Sequence, residues 1–125
     1  MGLSFEGIVA SGLGEGAFFM SMPHYRKEIK NKLGYEAYPG TLNIKVSTEL
    51  NFSKLKPMRI EGFKDGVKVF GGASCYSGKI HRIYGAVIVP DFTKHKKDIV
   101  EFIAPIHLKT KLKIKDGDTI KVELK

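Results

Sequence analysis

Residues 58–90 read MRIEGFKDGVKVFGGASCYSGKIHRIYGAVIVP. Within them MRIEGF (58–63) and VKVFGG (67–72) flank Lys64-Asp65-Gly66, and an Asp-Gly pair between two apolar-rich runs signals a hairpin. ASCYSGKI and RIYGAVIVP follow as a further pair of extended runs, with no helix between them. Upstream, TLNIKV (41–46) alternates strictly. Leu42, Ile44 and Val46 take one face, and Thr41, Asn43 and Lys45 the other. LSFEGIVA (3–10) reads as a strand, and AFFMSM (17–22), dense in large apolar side chains, as a strand buried on both faces. Downstream, DIVEFIAP (98–105) is a strand ending at Pro105, IHLKTKL a short helical turn, and KIKDGDTIKVEL a turn plus an alternating strand. One helix is clear: Pro23 opens it, Tyr25, Ile29 and Leu33 recur every fourth residue, and Gly34 stops it. Seven or more strands with so little helix predict a closed or nearly closed β-barrel. Without regular helices between strands, a Rossmann sheet is excluded.

The length of 125 residues suits one domain, 1–125, with a single core, and 42% hydrophobic and 27% charged residues are ordinary for a globular chain. A single cysteine, Cys75, makes no internal disulfide, which fits a reducing cytoplasm; a buried small side chain is a better reading of it than a catalytic thiol. No signal peptide, myristoylation signal or membrane-length apolar run is present, so a cytoplasmic protein without a membrane partner is expected. The net charge of +8 is scattered along the chain, which fits a solvated basic surface better than a nucleic-acid-binding face.

Three stretches could carry chemistry. SGLGEGAFFM (11–20) holds Gly12, Gly14 and Gly16, spaced unlike a dinucleotide fingerprint and without the Gly-Lys-Ser/Thr of a P-loop. Such glycines let backbone N–H groups face an anion, or merely turn the chain between strands. In PGTLN (39–43), Thr41 and Asn43 project side by side at a strand start. A hydroxyl and an amide oxygen so placed suit Mg²⁺, though they also suit a polar face in water. In VPDFTKHKKDIVEFIAP (89–105), alternation groups Ile99, Glu101 and Ile103 on one face. A carboxylate there has a partner, faces a pocket, or sits at an exposed edge. The four histidines lack zinc-site spacing, and nothing marks a Ser-His-Asp nucleophile.

SGLGEGAFFMS, YPGTLNIKV, GAVIVPDFTKH and VEFIAPIHLKTKLKIKDGD, in that order, resemble the archaeal CTP-dependent riboflavin kinases over nearly the whole chain. The resemblance implies a compact six-stranded cradle-loop barrel, riboflavin-kinase-like, with one or two short helices. It implies transfer of the γ-phosphoryl of CTP to the 5′-hydroxyl of riboflavin, giving FMN and CDP. The family's nucleotide-binding positions fall on Leu13, Gly14, Glu15, Gly16, Ala17 and Phe18, and on Ile106, His107, Leu108 and Lys109. Its Mg²⁺ ligands fall on Thr41 and Asn43, and its flavin contacts on Thr93 and Glu101. Nothing in the residues themselves derives a preference for cytosine or assigns Glu15 a role. The family commonly has Arg where Lys109 stands; lysine keeps the charge and loses the planar fork. Some relatives carry an N-terminal helix-turn-helix, whereas here the first barrel strand opens the chain. A monomer with no nucleic-acid partner is expected. The competing readings are a basic β-barrel that binds nucleic acid and a flavin-binding protein without turnover.

Overall fold

The computed structural model describes residues 2–10, 20–48, 50–92 and 98–125. Nine strands appear among them: β1 Leu3–Ala10, β2 Leu42–Lys45, β3 Met58–Ile60, β4 Phe63–Asp65, β5 Lys68–Phe70, β6 Ala73–Ile80, β7 Ile83–Pro90, β8 Ile99–Ile103 and β9 Thr119–Leu124. Helix α1 spans Pro23–Leu33 and α2 spans Leu108–Leu112. The main sheet runs β3-β6-β7-β8-β2-β1-β9, and a further β6–β9 pairing closes β6, β7, β8, β2, β1 and β9 into a ring of six. Every pairing in that ring is antiparallel. The six-stranded barrel is therefore present, with β3 lying along the first half of β6 and β9 along the second.

Alternation produces two cores. Inside the ring lie Phe5, Val9, Leu42, Ile44, Val87, Val100, Phe102, Ile120, Val122 and Leu124, drawn from every other position of their strands. Gly85 admits the Phe102 ring: a Cβ there would stand 2.4 Å from Phe102 Cε1 and 2.2 Å from Ile103 O. The residues between these point outward, and on β6, β7 and β8 they form a second core. Cys75, Ala86, Ile88 and Ile103 are covered there by Tyr25 and Ile29 of α1, by Met20 and by Ile60. Helix α1 ends as its sequence dictates, with Gly34 left-handed at φ +85° and its N–H donating to Lys30 O. Among the described residues no helix is long and apolar enough to cross a membrane.

Two expectations are corrected. The extended reading of AFFMSM fails where it can be compared: Met20 and Ser21 are helical and Met22 is the N-cap of α1, while Ala17–Phe19 lie outside the described residues. The apolar density there serves a packed helical entry, since Met20 is fully buried. MRIEGF is not one strand either. It divides into β3, which pairs with β6, and β4, which pairs with β5 around Gly66-Val67.

Candidate functional site

One ladder row organises the site. Ala10 of β1 lies opposite Asn43 of β2, Asn43 opposite Glu101 of β8, and Glu101 opposite Ile88 of β7. Because Leu42 and Phe102 fill the barrel, Asn43 and Glu101 both face outward. They are the two buried polar residues of the described core, 7% and 5% exposed. Thr41, two residues before Asn43, donates its hydroxyl to Glu101 Oε1 at 2.7 Å. The exposed-edge reading of Glu101 is thereby overturned, since β8 is flanked on both sides and the carboxylate is buried.

Asn43 Oδ1 is the informative atom. It is buried and has no hydrogen-bond partner among the described residues. Leaving a buried acceptor bare costs about 1–3 kcal/mol, so such an atom asks for a donor or a cation. Thr41 Oγ1 spends its proton on Glu101 and keeps its lone pairs. An amide oxygen and a hydroxyl oxygen beside a carboxylate make an all-oxygen set of the kind that suits Mg²⁺. The residues fit that ion.

A pocket of ≈ 140 Å³ opens beside this row. Its walls include Tyr38, Thr41, Asn43, Phe102 and the whole run Ile106–Lys109. Two regions distant in sequence are thus brought to one place. The end of the barrel is tied together by Gly117 N–H to Val9 O at 2.8 Å and Val9 N–H to Asp118 O at 2.8 Å. Lys109 stands in the first turn of α2, its Nζ held 2.8 Å from Asp116 Oδ1. That pairing fixes the ammonium and leaves further N–H donors for an anion. Leu13–Phe18 and Thr93 lie outside the described residues.

Sequence reasoning missed three features. Tyr38 lines the pocket and stacks on His107, with ring centroids 4.8 Å apart. Asp116 is the partner of Lys109; its signal was an acidic residue in a lysine-rich run. Arg59 grips Asp91 through two bonds of 2.8 and 2.7 Å and also donates to Ser74. This clamp holds the exit of β7, directly before the residues around Thr93, and Arg59 in turn keeps the Asp91 carboxyl below its ordinary range. Cys75 is no nucleophile, because burial pushes its thiol up to about 12.

The structure thus combines a small closed antiparallel barrel with a buried oxygen cluster at one strand row beside a lysine-bearing pocket. The family model described as "CTP-dep_RFKase: Domain of unknown function DUF120" matches residues 9–124, and the chain belongs to that family. It is 44% identical to the riboflavin kinase of Methanosarcina acetivorans, covering 98% of this chain and 54% of that protein. It is 42% identical to the riboflavin kinase of Methanosarcina barkeri, over 98% and 57%. With the riboflavin kinase of Pyrobaculum aerophilum the identity is 43%, over 94% and 59%. The chain spans little more than half the length of these curated relatives.

Proposed function

We propose that this chain is a riboflavin kinase that moves the γ-phosphoryl of CTP to the 5′-hydroxyl of riboflavin, with Mg²⁺ held by Thr41 and Asn43. The observation that carries this reading is the bare Asn43 oxygen, in register with Glu101 and on the wall of the Ile106–Lys109 pocket. The names of the relatives supply the acceptor, and the family description supplies the donor.

Strand β8 separates the two substrates. Its Ala104 end continues into Ile106–Lys109, the nucleotide side. Its Ile99 end is the one toward which β7 runs as it leaves for Thr93, the flavin side. Glu101 stands between them. In the transfer the bond from the γ-phosphorus to the CDP oxygen breaks and a bond to the riboflavin 5′ oxygen forms. Glu101 orients the ribityl hydroxyl and receives its proton. Lys109 and the backbone N–H groups of Leu13–Phe18 hold phosphate oxygens. A bound Mg²⁺ would offset charge on those oxygens. Positioning and charge stabilisation carry such transfers, so a fixed scaffold suits the task.

The test is incubation of riboflavin and Mg²⁺ with CTP, ATP, GTP or UTP, following FMN. FMN with CTP is expected, and none with any nucleotide overturns the reading. Loss of an outer partner of a metal ligand already costs about 10–100-fold, so Thr41→Ala and Asn43→Ala should each lower the rate by at least about 100-fold. Unchanged rates would remove both residues as ligands.

A further inference from the structure

Tyr38 is 41% exposed, yet its ring is firmly placed. It stacks on His107 at an interplanar angle of 29°. Its N–H donates to Ala104 O at 2.7 Å, and its carbonyl accepts from the Gly40 N–H at 2.8 Å. His107 is held in turn by a 2.7 Å bond between Nδ1 and Thr110 Oγ1. Both rings line the pocket that also contains Thr41, Asn43 and Lys109. Two stacked, partly exposed aromatic rings thus stand on the wall of the pocket beside Thr41, Asn43 and Lys109.

We propose that the Tyr38–His107 stack is the platform on which the base of the donor nucleotide lies, as a third ring against Tyr38. The inference rests on the phosphoryl-transfer reading and adds a residue to it. The base is favoured over the flavin ring as occupant because of position. The stack stands at the Ala104 end of β8, joined to the proposed phosphate-holding run through His107 itself, whereas β7 runs antiparallel to β8 and leaves at the Ile99 end, with Thr93 following it in sequence. A nucleotide with its phosphates at Lys109 and the Thr41–Asn43 pair has its base at the rim of the same pocket.

The chemistry of the platform has a consequence for specificity. Every base has a π face, so stacking adds affinity without reading identity. Tyr38 therefore contributes to nucleotide binding in general, and any preference for cytosine is read elsewhere, on the base edge.

Calorimetry of CDP, UDP and ADP binding to the intact protein tests this, alongside the KM for CTP and for riboflavin. Base stacking on an aromatic side chain is worth about 5- to 100-fold in affinity. Tyr38→Ala should weaken all three nucleotides by a common factor in that range. It should raise the KM for CTP, and leave kcat and the KM for riboflavin nearly unchanged. Tyr38→Leu, which fills the space without a π face, should behave like Tyr38→Ala, and Tyr38→Phe should restore wild-type binding. Wild-type CDP affinity in Tyr38→Ala, or a defect confined to riboflavin, overturns the platform. If Tyr38→Ala loses nucleotide affinity but the wild type makes no FMN, the platform stands and the kinase reading falls. If the wild type binds no nucleotide, both fall.

Discussion

Asn43 is the residue at which stability and the proposed chemistry oppose each other. Its buried oxygen without a donor is a cost to the fold that an apolar side chain of similar size would not bear. Asn43→Leu is therefore expected to melt at or above the wild-type temperature while losing FMN formation, and a clear drop in melting temperature would contradict this account. Cys75 makes the contrasting case. It is fully buried in the second core with its thiol pushed up to about 12, so almost no thiolate exists at neutral pH. A charged thiol reagent should label the native protein only at the rate of unfolding, and fast stoichiometric labelling would refute the burial. At this scale much was readable in advance. Strict alternation in TLNIKV already placed Thr41 and Asn43 on one face, and the lone Glu101 among apolar neighbours already asked for a partner. Their mutual register was not readable, because pairing of β2 with β8 joins residues about sixty positions apart.

Among the elements, α1, the strand around Glu101 and the β4–β5 hairpin at Asp65-Gly66 follow from local pattern, whereas the division of MRIEGF does not. One apolar run there supplies two strands to two different sheets, a decision made by tertiary packing of Phe63 on His24 and Phe70. Met20 shows the same limit: a cluster of large apolar residues fits a buried helix turn as well as a strand. The Arg59–Asp91 clamp, which joins β3 to the end of β7, gives this scale its pH dependence. The hydrogen bond from Arg59 lowers the Asp91 carboxyl from its ordinary 3.8. A depressed folded-state value stabilises above the unfolded value and loses that stabilisation as pH falls through the folded one. Both side chains are more than a third exposed, 45% and 37%, so solvent screening keeps the contribution small. Arg59→Ala should lower stability by about 0.2–1 kcal/mol at pH 7, with the difference from wild type narrowing below about pH 4. Denaturant melts across that range measure it, and a gap that widens in acid would reverse the assignment.

At the scale of the whole molecule, the ring depends on a short seam between β6 and β9. It consists of Gly78 opposite Leu124, Lys79 opposite Glu123, and Ile80 opposite Val122. The strands approach so closely that a Cβ at Gly78 would stand 2.3 Å from Glu123 O. Gly78→Val should cost about 1–3 kcal/mol by overpacking and open the seam, exposing β9 amides to hydrogen exchange before those of β7. Equal protection of both strands would show that the barrel tolerates the insertion. The count of short strands foretold a barrel. Which strands close it was hidden, since the seam pairs β6 with the last strand across some forty residues and no local signal marks the partner.

The bare oxygen of Asn43 also gives the fold a thermodynamic reporter of the proposed ion. An ion that binds the native chain and not the unfolded one raises stability by RT ln(1 + [L]/Kd), independent of any substrate. Melting temperature should thus climb with the logarithm of Mg²⁺ concentration in the wild type and stay flat in Asn43→Ala. Titrating Mn²⁺ and Ca²⁺ in the same way would rank the cations the site accepts before a single turnover is measured.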